Sequence, residues 1–301
     1  MFTRDGPPSR EPLRRGLAKA SATAEILRCG MSKVNAFSWV VLGVMIVTAL
    51  HAQEGSQPVP RSDENSRIAH KQLLDKARRG GIDVYFEGDS ITRRWGTSDA
   101  AYRSFFEHWT KSFFGWNAAN FGWGADTVQN ILWRLTNGEL DEVHPKVIVI
   151  MAGTNNVGGM PRDGVDTAVV EYVANGMRAV LDLIRSKAPD ATVILMGITP
   201  RTDSLGGASV MPTIDAINER YARLADGAAR SRGLTRYLTI NRDLARADGT
   251  PRDGVTVDGL HLSLIGYQVW ADALKPIFTE ILGPPATTDH APPPTGDPAA
   301  R

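Results

Sequence analysis

The chain has 301 residues, 42% hydrophobic and 22% charged, enough to bury a sizeable core in one domain of roughly 200 to 230 residues. Its 34 Lys and Arg nearly balance 33 Asp and Glu, for a net charge of +1, so nothing favours a polyanion such as nucleic acid as partner. The single cysteine, Cys29, precedes an apolar stretch, which leaves the expected folded part without a disulfide, thiol ligand, thiol nucleophile or redox pair.

Residues 34–50 are uncharged and mostly apolar, follow Lys33 and end in Thr48-Ala49-Leu50-His51-Ala52-Gln53, where small residues suit a signal peptidase. Residues 31–52 are therefore expected to be a signal peptide with Met31-Ser32-Lys33 as its start. Residues 1–30 would be a start-site artefact or disordered, and 53–61 a linker. The apolar part is short for a membrane span of ~20 residues, so the expectation is export to the periplasm or medium without a stable span, and membrane anchoring if uncleaved.

From residue 62 to 282, apolar runs of strand length alternate with segments of helical period, as βαβ units do. The candidate strands are Ile82 to Glu87, Asn117 to Phe121, Val147 to Ala152, Thr192 to Gly197 and Thr235 to Ile240. Helical stripes run through Val169, Val173, Met177, Val180 and Ile184, and through Ile214, Ile217, Tyr221 and Leu224; each covers a sheet with one face. Val147 to Met151 and Val193 to Met196 are continuously apolar, the mark of parallel strands buried on both sides. Residues 283–301, rich in Pro, Ala and Thr without an apolar period, read as a disordered tail.

In open parallel sheets the ligand site lies beyond the carboxyl ends of the strands. Polar, glycine-bearing clusters stand there: Gly88-Asp89-Ser90 after the first strand, Gly122-Trp123-Gly124-Ala125-Asp126 after the second, and Gly153-Thr154-Asn155-Asn156 after the third. Asp258-Gly259-Leu260-His261 follows the fifth. A serine hydroxyl becomes a nucleophile when an oriented imidazole removes its proton. Ser90, His261 and Asp258 are the candidates for nucleophile, base and orienting acid. A tetrahedral intermediate also needs hydrogen-bond donors, and three are at hand: the backbone N–H of Ser90, a backbone N–H in the turn 122–125, and the Asn155 amide.

These blocks resemble the four signature blocks of the SGNH (GDSL) hydrolases from about Ile82 to Leu282. The run Asn120 to Leu135 with Asn137-Gly138-Glu139-Leu140 is similar to the catalytic subunits of type Ib platelet-activating-factor acetylhydrolases and bacterial GDSL esterases. The resemblance implies a three-layer α/β/α sandwich with a five-stranded parallel sheet, flavodoxin-like. It also implies Ser90, Asp258 and His261 as catalytic residues, and Ser90, Asn155 and the residue before Asp126 as oxyanion donors. That last position is usually glycine in the family and is Ala125 here. An N–H survives the change, and the cost depends on whether the turn demands a positive φ; Gly124 is the reserve donor.

Other chemistries leave no mark: there is no G-x-S-x-G elbow, H-E-x-x-H helix or G-x-x-x-x-G-K loop, and neither a metal nor another cofactor is expected. Trp95 and Trp123 could present a ring to a sugar or acyl chain, with core packing as the competing reading. Trp133 reads as core. Among Arg93, Arg94 and Arg201 near the active edge, Arg201 is kept as a candidate substrate contact against the plainer reading of a solvated arginine. Residues 157–164 and 201–212 are expected to set specificity. The expectation is an exported esterase of short O-acyl, above all acetyl, esters of small molecules or carbohydrates. The alternatives are a lysophospholipase or thioesterase, an acyltransferase, or an inactive carbohydrate-binding protein. The oligomeric state is left open.

Overall fold

A computed structural model describes residues 55–158, 164–202, 209–232 and 234–300, with backbone alone for 228–232. Five parallel strands form one sheet in the order β2-β1-β3-β4-β5: β1 Val84–Gly88, β2 Ala118–Asn120, β3 Val147–Met151, β4 Thr192–Met196 and β5 Thr235–Leu238. Every residue of β1, β3 and β4 is buried, as the continuous apolar runs Val147 to Met151 and Val193 to Met196 led one to expect for β3 and β4.

Successive side chains point to opposite faces of a strand, and the two faces hold separate cores. Tyr85, Ile148, Ile150, Val193 and Leu195 pack with one set of helices: α1 Glu64–Arg78, α4 Val128–Arg134, α5 Thr167–Lys187 and α6 Met211–Arg232. Val84, Phe86, Val147, Val149 and Ile194 pack on the other side, against α2 Ser90–Trp95, α3 Arg103–Phe113 and α8 Leu264–Leu282, with the short α7 Asn241–Leu244 nearby. The expected stripes are realised: Val173, Met177, Val180 and Ile184 of α5 and Ile214, Ile217 and Tyr221 of α6 are buried, while Val169 and Leu224 are partly so. The result is the three-layer α/β/α sandwich that the resemblance implied.

The strand order reverses between β1 and β3, which lie side by side with Val84 opposite Val147 and Phe86 opposite Val149. Loops leaving neighbouring strands in opposite directions open a crevice at such a switch point.

Two boundaries differ from the sequence expectation. Residues 283–300 are not a loose tail. Trp116 Nε1 donates to Gly283 O, the Asp289 carboxylate accepts from the N–H groups of Gly115 and Asn117, and Thr295 O accepts from Ser98 N–H and Thr97 Oγ1. Backbone and carboxylate hydrogen bonds fix this segment, so an apolar period is not required. The stretch assigned to a linker is likewise tied down: Gln129 Nε2 donates to Gly55 O, and Val59 exchanges hydrogen bonds with Gln129 and Asn130. Residues 1–54, including the expected signal peptide at 31–52, lie outside the described residues. Among the described residues no helix is long and apolar enough to cross a membrane.

Candidate active site

The chain turns sharply at the end of β1. A Cβ on Gly88 would sit 2.2 Å from Thr92 Oγ1 and 2.6 Å from Met151 O, so only glycine lets the chain pass between β3 and α2. Asp89 then caps α2, its Oδ1 accepting from Ile91 N–H at 2.9 Å. This cap starts the helix at Ser90 and leaves the Ser90 side chain part-exposed at the switch point.

His261 arrives from the loop before α8. The Asp258 carboxylate organises this loop, with Oδ1 accepting from the N–H groups of Leu260 at 3.1 Å and His261 at 2.7 Å. Its Oδ2 lies 2.7 Å from His261 Nδ1, and His261 Nε2 lies 2.9 Å from Ser90 Oγ. With the carboxylate as acceptor, Nδ1 carries the proton and Nε2 accepts from the serine hydroxyl. Burial alone would raise the Asp258 pKa, but the hydrogen bonds from the His261 backbone and ring outweigh it and bring the acid down to about 2. Arg94 adds a guanidinium 3.3 Å from Oδ2. The imidazole is thus held in one orientation beside a permanently ionised carboxylate.

The turn after β2 packs on the strand end that carries the serine. Trp123 N–H donates to Gly88 O at 2.9 Å, and Asp126 N–H donates to Trp123 O at 3.3 Å. Ala125 between them has φ = 62°, a left-handed conformation that costs a residue with a Cβ ~1–2 kcal/mol. The family's glycine would carry no such strain. Asn155, in the 3-10 turn Thr154–Asn156 after β3, donates through Nδ2 to Asp126 O at 2.9 Å. An amide nitrogen has two hydrogens, so one ties the two loops together and the second remains for a ligand.

Ser90, His261 and Asp258 thus meet in one relay, and Asn155 is bonded to the 122–126 turn. The tryptophan side chains take no part in these bonds. Trp95 is fully buried, donates from Nε1 to His108 Nδ1 at 3.1 Å and stacks on Tyr267. Trp123 is buried too, its Nε1 donating to Ser66 Oγ at 2.8 Å while Arg93 lies over the ring. Both take the core-packing alternative. Arg201 donates from one nitrogen to Thr154 O and Oγ1, both at 2.9 Å, so it braces the turn that carries Asn155. Residues 159–163 and 203–208, most of the two expected specificity loops, lie outside the described residues.

Sequence reasoning missed a buried ionic cluster behind the 122–126 turn. Arg134 donates to Asp126 Oδ2 at 2.7 Å, to Glu87 Oε1 at 2.5 Å, and to Glu139. His70 Nδ1 closes on Glu139 Oε1 at 2.7 Å. Burial pushes Asp126 up to about 6 and raises Glu87 as well, with Arg134 opposing both shifts. A charged residue inside each of two apolar runs, Glu87 and Arg134, was the available signal. Among the described residues no three His, Cys, Asp or Glu side chains are grouped as metal ligands; Arg134 itself takes the centre of this cluster.

Comparison with known proteins fits this arrangement. Residues 86–269 match the GDSL-like Lipase/Acylhydrolase family. The platelet-activating factor acetylhydrolase IB subunit alpha1 of Bos taurus is 29% identical over 231 residues, covering 75% of this chain and 90% of that protein. The alpha2 subunit of Gallus gallus is 29% identical over 222 residues, covering 74% and 87%. Among solved structures, a GDSL-like lipase of Bacteroides thetaiotaomicron superposes with a TM-score of 0.54 at 17% identity, covering 71% of this chain and 98% of that one. The chain belongs to the GDSL-like lipase/acylhydrolase family, the SGNH hydrolases. It is a carboxylic ester hydrolase.

Proposed function

We propose that the protein hydrolyses short O-acyl esters, acetyl esters foremost, through an acyl-enzyme on Ser90. One observation carries this reading: the unbroken relay from Asp258 Oδ2 to His261 Nδ1 at 2.7 Å and from His261 Nε2 to Ser90 Oγ at 2.9 Å. Ser90 Oγ attacks the ester carbonyl as its proton passes to His261 Nε2, and Asp258 stabilises the imidazolium that forms. The carbonyl oxygen, now anionic, takes hydrogen bonds from the N–H groups of Ser90 and Ala125 and the Asn155 amide. Collapse expels the alkoxide, which takes the proton from His261. Water, deprotonated by the same imidazole, then releases the acid and restores Ser90.

The acetyl preference is supported by the acetylhydrolase names of the relatives at 29% identity. If residues 31–52 export the chain, its ester is an extracellular one, such as an acetylated carbohydrate.

Ser90→Ala should reduce p-nitrophenyl acetate turnover at least about a thousandfold while leaving the unfolding midpoint unchanged, and should abolish labelling by a fluorophosphonate. Activity should fall on acidification as the imidazole takes up a proton. Asp258, held near 2, stays ionised throughout that limb. Parent-level turnover in the Ser90→Ala protein, or a rate flat from about pH 8 to 5, overturns the mechanism. A series of acyl lengths and an acetylated oligosaccharide tests the substrate.

A further inference from the structure

The strained residue of the 122–126 turn is gripped on both sides by a side chain from the segment that precedes α1. Arg61 donates from one nitrogen to Gly124 O at 2.8 Å and to Asp126 Oδ1 at 3.2 Å, the groups immediately before and after Ala125. Asp63, the N-cap of α1, holds the other edge of the guanidinium, 3.1 Å from Nε and 3.0 Å from the second terminal nitrogen. The contact joins unlike environments: the Asp126 side chain is 0% exposed and Arg61 28%. Arg61 is also delivered along a fixed path, because Gly55 and Val59 hydrogen-bond to Gln129 and Asn130 of α4, the helix that the turn enters.

On the assignment of the Ala125 N–H to the oxyanion, we propose that Arg61 is a positioning residue: it holds the Gly124–Ala125–Asp126 backbone in the left-handed conformation that aims this N–H at the reacting carbonyl. A left-handed alanine tends to relax towards negative φ, and relaxation rotates the adjoining peptide planes. Arg134 on Asp126 Oδ2 and Asn155 on Asp126 O restrain only the far side of Ala125. Arg61 bonds the carbonyl on the near side as well. Strain that persists at a functional turn needs such surroundings, and here they are supplied by a residue outside the four signature blocks. The segment before α1 is thereby part of the catalytic domain.

The test uses the full chain with p-nitrophenyl acetate. Arg61→Ala should lower kcat by about 10- to 100-fold, the range for lost support of a catalytic group, with KM within about threefold, since the donor acts on the transition state. Adding Ala125→Gly to Arg61→Ala should return most of the lost kcat, because glycine adopts positive φ without the restraint. Arg67→Ala, which removes an exposed pair with Glu64 on α1, should stay within twofold of the parent and controls for surface charge. A parent-level kcat in Arg61→Ala overturns the proposal. So does a loss that tracks a fall in Tm and is not recovered by Ala125→Gly, which would mark a purely structural contact. If Ser90→Ala also keeps its turnover, the fault lies in the nucleophile assignment; if Ser90→Ala is dead and Arg61→Ala is normal, only the Arg61 role fails.

Discussion

A carboxylate sits directly behind the nucleophile. Asp89 is 1% exposed, and burial pushes its pKa up to about 7, against the backbone hydrogen bond from Ile91 that favours the ionised form. An acid whose folded pKa exceeds its unfolded one stabilises the fold below about pH 4, and that contribution is lost as pH rises through about 7. Asp89→Asn keeps an oxygen to cap Ile91 and removes the buried charge. Its unfolding free energy should exceed the parent's by about 1–3 kcal/mol at pH 8, with the gain shrinking to nothing near pH 4. Denaturant titrations at the two pH values measure this, and an equal difference at both would refute the burial account. Ser90, Asp258 and His261 were legible in the sequence because reaction chemistry dictates which residue types must meet. The cost of Ala125 was not legible, because it depends on φ, and a single letter carries no dihedral angle. Its φ of 62° resolves the question on the strained side.

Helix α4 shows where pattern reading reached its limit. The sequence Ile131-Leu132-Trp133-Arg134-Leu135 suggested a buried tryptophan, yet Trp133 is only half-buried, tilted against His70, while Arg134 is 3% exposed. Hydrophobicity scales place arginine outside because a lone buried charge is costly. Three carboxylates from β1, the 122–126 turn and the π-helical turn after α4 reverse that preference; the apolar runs around Glu87 and Arg134 hint at buried charges but do not say that the two meet. Removing the cation leaves the acids facing one another. Arg134→Met should therefore destabilise the fold by about 3–5 kcal/mol in urea unfolding, and Glu87→Gln added to it should recover part of the loss. A smaller penalty for the single variant than for Glu87→Gln alone would contradict this arrangement. Strands β3 and β4, by contrast, were read almost to their ends, since strands covered on both faces write themselves as unbroken apolar runs.

At the scale of the molecule, the alternating pattern anticipated a parallel sheet covered on both faces but not its outer wrapping. Segments 55–61 and 283–300 contribute hydrogen bonds rather than apolar stripes, and their partners lie far away in sequence: Thr295 O accepts from Thr97 Oγ1, and Asp297 N–H donates to Asp99. Composition reports whether a segment can build a core; it does not report whether another surface offers donors and acceptors to it. A chain ending at Gly283 frees the Gly115 and Asn117 N–H groups from Asp289. It should lose about 1–3 kcal/mol of stability, several hydrogen bonds of ~1 kcal/mol each less the ordering entropy of the segment. Its kcat/KM should stay within about twofold, because the bonds that join Asp258 to His261 and His261 to Ser90 involve none of the removed residues. Thermal unfolding together with esterase assay separates the two effects.

Asn65, just inside the first turn of α1, donates to Asp297, three residues short of the last described position, at 2.8 Å. The last described residues are thus laced to the first turn of α1. An affinity handle or fused protein attached beyond residue 300 would therefore emerge beside the start of α1, on the flank where Asn65 lies.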